Sequence, residues 1–337
     1  MPVVAVPLPV LVRSRAVFMV PALLLLMSAG FFCPADVRAS AAVHTSTMQD
    51  SGTGATLLDT FFVSAREGWV VGAGGMVLHT DDGGVTWREV PRRTTVLLTS
   101  LAFADARHGW IVGGSGIILH TNDHGTHWRR QVSGVSAQLY DVEFVDASRG
   151  WVVGGRGTIL HTVDGGTTWE DQRSSTSADL FGVQFLDAQT GWAVGALGTI
   201  LVTRDGGAHW TQQPVESATT FFDLHFMDDT SGWVVGSQGA MFQTLTGGDT
   251  WVDRTMKCGS PCIRPPDFLK VSFAGFRTGW IIGERGAFLH TTDAGLTWQE
   301  TELPEPLSLY GLSFPAPGIG WAVGQGGAIL NITAPSL

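Results

Sequence analysis

The chain of 337 residues is acidic, with 20 Lys and Arg against 30 Asp and Glu, and it holds 44 Gly and 13 Trp but only three Cys. A formal net charge of −10 leaves no general electrostatic attraction for nucleic acid or an anionic membrane, so any basic function must be local. The length is enough for two ordinary domains unless one pattern runs throughout.

Residues 1–39 stand apart. Arg13 and Arg15 precede an apolar run from Ala16 to Phe32, and small residues follow at Ala39 and Ala41, which reads as a secretory signal with cleavage after one of them. The run is at the short limit for a membrane span, leaving an uncleaved anchor as the alternative. Cys33 follows Phe31 and Phe32 rather than the small residues that bacterial lipidation requires. Loss of the leader removes Arg13, Arg15, Arg38 and Asp36, leaving 17 basic and 29 acidic residues.

From there one unit repeats. Its Gly-Trp pair recurs at Gly68, Gly109, Gly150, Gly191, Gly232, Gly279 and Gly320, every 41 residues except for one interval of 47. Seven copies of such a period, built from short apolar runs between glycine turns, predict an all-β, seven-bladed propeller of four-stranded blades over residues 40–337. The repeats open near residues 57, 98, 139, 180, 221, 268 and 309. Each has an alternating strand a, as in Leu139 to Phe144, then a W-x-V-G strand b, a G-x-x-G turn and a short strand c. The Trp content is absorbed by the repeat, with seven in Gly-Trp pairs and six closing the turn that follows strand c.

That turn carries the most specific motif, the Asp box, in forms such as TDDGGVTW at 80–87 and TVDGGTTW at 162–169. Asp82, Asp123, Asp164, Asp205 and Asp293 occupy its acidic position, each placed to accept backbone amides while Gly adopts left-handed geometry. Repetition in six copies marks a structural staple, and Thr246 in the fifth predicts the weakest turn. The seventh copy stops after strand c. Counting back from Phe62 predicts that residues 44–50 supply its fourth strand by pairing with residues 328–333, closing the ring. Cys258 and Cys262 lie in the one insertion, Met256 to Pro266, and in an exported chain such a pair reads as a disulfide.

Seven copies built on the formula F-x-D-x-x-x-G-W-x-V-G-x-x-G-x-I-L-H-T-x-D-G-G-x-T-W, the last cut short after strand c, stand behind a signal and resemble the Ycf48 family of photosystem II assembly factors over about residues 44–333. The resemblance implies a non-enzymatic propeller of the periplasm or thylakoid lumen, without cofactor, that binds newly made membrane protein. The precursor of the D1 subunit is the family's client, and any membrane association would run through the client or an uncleaved N-terminus. A monomer is expected.

Asp boxes also occur in sialidases and related glycosidases, so a propeller that binds or cleaves glycans is the alternative. Sialidase chemistry needs three arginines and a Tyr/Glu pair, whereas the chain has only Tyr140 and Tyr310, at corresponding places in strand a. No catalytic residue is assigned. His79, His120, His161 and His290 share one repeat position, which spreads them around a ring rather than gathering them on one ion, so no metal site is assigned either.

In a four-stranded meander the b–c turns and the d–a linkers share one face and the Asp boxes occupy the other, so variable residues collect on the first. Arg92, Arg93, Arg129, Arg130 and Arg156 make a basic sector there, with Arg285 beside Glu284 as a further candidate. Glu300, Glu302 and Glu305 make an acidic one. The family resemblance implies an arginine patch that contacts the client, and these residues are its candidates. The insertion is a candidate second contact.

Overall fold

The structure, a computed structural model, describes residues 45–257, 264–303 and 305–333. The leader, Cys33 and the Cys258–Cys262 pair lie outside the described residues. Described strands form seven antiparallel sheets of four. In blade 1 these are Leu57–Phe62, Gly68–Gly72, Val77–Thr80 and Arg88–Glu89, strands a to d in chain order. The a strands of blades 2 to 7 begin at Leu98, Leu139, Leu180, Phe221, Phe268 and Leu309. They pack on one another around the centre of the ring, which places the d strands at the rim.

Strand b shows why the Gly-Trp pair repeats. Its Trp is buried in every blade. The Trp ring stacks on the last Phe of the next blade's strand a, with centroids 3.4 Å apart for Trp110 and Phe144 and 3.5 Å for Trp151 and Phe185. The Phe in turn covers its own blade's Gly, and a Cβ added at Gly150 would lie 2.5 Å from the Phe144 ring. Each blade is thereby glued to the next through apolar area rather than through shared backbone. The junction between Trp233 and Phe273 is the loosest, at 6.3 Å.

The ring closes as the truncated seventh copy predicted. Thr45–Gln49 pairs antiparallel with Ile329–Thr333, from Thr45 opposite Thr333 to Gln49 opposite Ile329. Gln49 then acts as a strand d residue should. Its Nε2 donates to Gly83 O at 3.0 Å, as Gln131 donates to Gly165 O and Gln172 to Gly206 O in the blades that have their own fourth strand. Phe62 stacks on Trp321 at 3.6 Å across the same seam.

The Asp boxes are local staples. Thr80 Oγ1 donates to Asp82 Oδ1, and that carboxylate accepts the Thr86 amide at 2.9 Å and the Thr86 hydroxyl at 2.7 Å. In the sixth blade the Thr297 amide and hydroxyl hold the Asp293 carboxyl down to about 2. In the fifth, the Thr246 hydroxyl takes the amide of Thr250 at 2.9 Å but offers one oxygen where the carboxylate offers two. Thr246→Asp is therefore expected to raise the melting temperature by roughly 2 °C. Thermal unfolding followed by Trp fluorescence checks this, and an unchanged or lower value would mean that the box loses nothing by the substitution.

Candidate functional site

The faces divide as the meander requires. The Ala73 amide at the b–c turn donates to Thr56 O just before strand a, while the Asp-box Gly83 amide donates to Arg66 O in the a–b turn at the opposite end. Linkers and b–c turns thus form one surface and Asp boxes the other.

On the linker surface the candidate arginines are exposed but not equivalent. Arg92 Nε is held by Glu89 Oε1 at 2.6 Å, and its Nη1 donates to Gly74 O at 3.2 Å, so the side chain lies down across the first b–c turn. Arg93 beside it makes no such contact among the described residues. Arg156 is the tip of the third b–c turn at φ +59°, and its amide donates to Asp179 Oδ1 at 2.7 Å, which fixes the turn and leaves the guanidinium exposed.

Arg129 and Arg130 differ from the sequence expectation. They begin no loop but form strand d of blade 2, Arg129–Gln131, paired with His120 and Leu119. Adjacent strand residues point to opposite sides, so on the rim one faces each flanking blade. Arg285 differs more. Its Nη2 donates to Arg264 O at 3.2 Å and Pro265 O at 2.9 Å, so it anchors the end of the insertion. The structure therefore brings Arg92, Arg93 and Arg156 onto one surface over blades 1 to 3, puts Arg129 and Arg130 at its edge, and assigns Arg285 a structural task.

Three of the four equivalent histidines stack on their own blade's Trp, as His161 does on Trp151 at 4.8 Å and His79 on Trp69 at 4.8 Å, while His290 is tilted against Trp280 at 5.1 Å. Tyr140 sits among aromatics, 4.8 Å from Phe181, which is 5.7 Å from Phe222. These second residues of the a strands line no part of the cavity at the centre of the ring.

Sequence reasoning passed over the centre of the ring. The third and fifth residues of the a strands line a cavity of about 420 Å³, which reaches Phe314 and Pro315 toward the Asp-box end. One layer holds Asp59, Ser100, Asp141, Asp223 and Lys270, and the next holds Phe61, Ala102, Glu143, Gln184, His225, Ser272 and Ser313. The three aspartates staple neighbouring blades. Asp59 accepts the Leu101 amide at 3.1 Å, Asp141 the Val183 amide at 2.9 Å and Asp223 the Val271 amide at 2.8 Å, while Ser100 Oγ bridges Asp59 and Asp141. Burial raises the Asp59 carboxyl, and it pushes Asp223 up to about 6 and Glu143 up to about 8. It also depresses His225 to about 4. Burial opposes the charge of Lys270 as well, but Asp223, 3.4 Å away, with Asp141 and Asp59, holds it protonated. The only signal in the sequence was a polar residue inside each alternating strand, which reads equally as an ordinary exposed face.

Comparison with known proteins agrees with this architecture. The profile described as "Photosynthesis system II assembly factor YCF48" matches residues 39–134, 131–212 and 208–308. No curated protein matches the sequence. Among solved structures, YCF48 bound to D1 peptide is 22% identical with a TM-score of 0.70, covering 88% of this chain and 100% of that one. YCF48 from Cyanidioschyzon merolae is 21% identical at 0.71, covering 86% and 98%. A streptogramin B lyase reaches 0.74 at 13% identity, covering 88% and 100%, so the fold by itself is shared with enzymes. With the profile running through most of the ring, the chain belongs to the YCF48 family of photosystem II assembly factors.

Proposed function

We propose that this chain is an exported, non-catalytic scaffold that captures a segment of a newly made membrane-protein subunit on its linker surface, with D1 as the first client to test. Family membership across the repeats carries the reading, together with the relative solved in complex with a D1 peptide. The leader supports export to a periplasm or lumen, where such a segment is presented. The exposed guanidiniums of Arg93 and Arg156 suit an acidic or carboxylate-ended segment, because Arg offers paired donors to such oxygens.

The test is binding of a D1 peptide by full-length protein and by the variant with Arg92, Arg93, Arg129 and Arg130 all changed to Glu. Affinity is expected to fall at least tenfold in the variant and to weaken with salt in the wild type, while the melting temperature stays within about 2 °C, since surface charges contribute little to stability. Unchanged affinity in the variant would remove the patch from the reading, and no binding by either protein would remove D1.

A further inference from the structure

We propose that the central cavity is a second binding site, independent of the linker surface, and that it takes an organic ammonium group carried on an apolar stem. The cavity is not simply an unfilled axis. Its charges are unequal, with four carboxyls, Asp59, Asp141, Glu143 and Asp223, facing one cation, Lys270. The three aspartates are occupied, each holding a neighbouring blade's backbone amide. Gln184 is occupied too, exchanging two hydrogen bonds with the Phe226 backbone, and Ser313 accepts the Phe62 amide.

Glu143, His225 and Ser272 remain. They line the cavity from blades 3, 5 and 6, and none has a hydrogen-bond partner among the described residues. Glu143 is half-buried, and with no donor on it among the described residues its carboxyl stays open to a donor that enters the cavity.

Opposite, in the layer of Glu143, blades 1 and 2 present Phe61 and Ala102, with Phe314 and Pro315 of blade 7 beyond them, and the one polar side chain of that layer on this side, Ser313, is already taken by the Phe62 amide. A ligand that satisfies both walls has donors only at its head and hydrocarbon behind it. An ammonium head donates to the Glu143 carboxylate and the Ser272 hydroxyl, and the rings of Phe61 and Phe314 receive the stem. Among the described residues no three His, Cys, Asp or Glu side chains stand close enough to hold a metal ion, which favours ammonium over a metal as the cation. An anion is opposed by the carboxyl excess. Binding needs Glu143 ionised, and burial holds its proton on at neutral pH, so the ligand must displace that proton.

The probes are n-butylammonium, n-butanol as its uncharged counterpart, and a short acetylated peptide with one lysine paired with the same peptide bearing norleucine. Calorimetry on the full-length protein is run in two buffers of different ionisation enthalpy. The expected result is binding of butylammonium but not butanol, with proton release, with affinity rising as pH is raised through about 8, and with at least a tenfold loss in Glu143→Gln. Binding of the lysine peptide but not its norleucine twin would identify a partner's side chain as the source, and binding of butylammonium alone would identify a free amine. The proposal is overturned if butanol binds as well as butylammonium, if no charged probe binds, or if Glu143→Gln binds unchanged. The wild-type pH profile decides the matter without a variant, since affinity flat across pH 6 to 9 also overturns it.

Discussion

A chain beginning at Ser51, and so lacking Thr45–Gln49, is expected to lose about 10 °C or more in melting temperature and to self-associate. The strand supplies five paired residues along Ile329–Thr333, and Gln49 adds a donor to Gly83 O and an acceptor for Trp87 Nε1 at 3.4 Å. At about 1 kcal/mol net for each hydrogen bond, the loss reaches several kcal/mol, a large share of the roughly 5–15 kcal/mol that stabilises a domain. Removal also bares an open sheet edge at Ile329–Thr333, the feature that promotes pairing between chains. Differential scanning calorimetry and gel filtration of the truncated protein read both effects. Gln49→Ala should show only a small part of the loss, because the backbone pairing survives. A truncated monomer as stable as the full chain would mean that the stacking of Phe62 on Trp321 closes the seam unaided.

Glu143→Gln is expected to stabilise the fold increasingly as pH rises. The folded chain holds this carboxyl at about 8 against an ordinary value of 4.5 because burial disfavours the anion. A group whose folded pKa is raised contributes most below its unfolded value, and that contribution is lost as pH climbs through the folded one. Wild-type stability from this source therefore falls between about pH 4.5 and 8 and is flat above. At ~1.4 kcal/mol per unit the upper bound is several kcal/mol, reduced by water in the cavity. Asp223 acts in the same direction but ends near pH 6. Urea unfolding at pH 5, 7 and 9 should show the variant and wild type alike at pH 5 and widely separated at pH 9. A constant difference across the three would mean that Glu143 ionises freely in the folded state.

The two expectations differ in how openly the sequence announced them. The closing strand was legible because a repeat missing its last strand must be completed, and Gln49 occupies the place that Gln131 and Gln172 hold in complete blades. Glu143 was not legible. In Leu139–Phe144 it is one polar residue in an alternating strand, and alternation does not say whether the polar side meets solvent or the axis of a ring. The arginines fall between. Arg92, Arg93 and Arg156 lie where the meander put them, but Arg129 and Arg130 entered a strand because the Asp-box turn ends at Trp128 and pairing resumes at once. Arg285 lies in its b–c turn as the meander requires, yet its guanidinium is spent on two carbonyls that nothing in the local sequence marks.

Period, turn chemistry and the Gly-Trp pair are short-range properties, and the sequence by itself determined through them the blade, the count of seven, the closure of the ring and the family. What the central residues face, and which arginines remain free, depends on contacts between residues one or more repeats apart, such as Asp59 with Leu101 and Asp141 with Val183. Only the tertiary structure decided those. A ring places equivalent positions of separate blades beside a common axis, and the charge gathered there is a sum over blades that no single repeat displays.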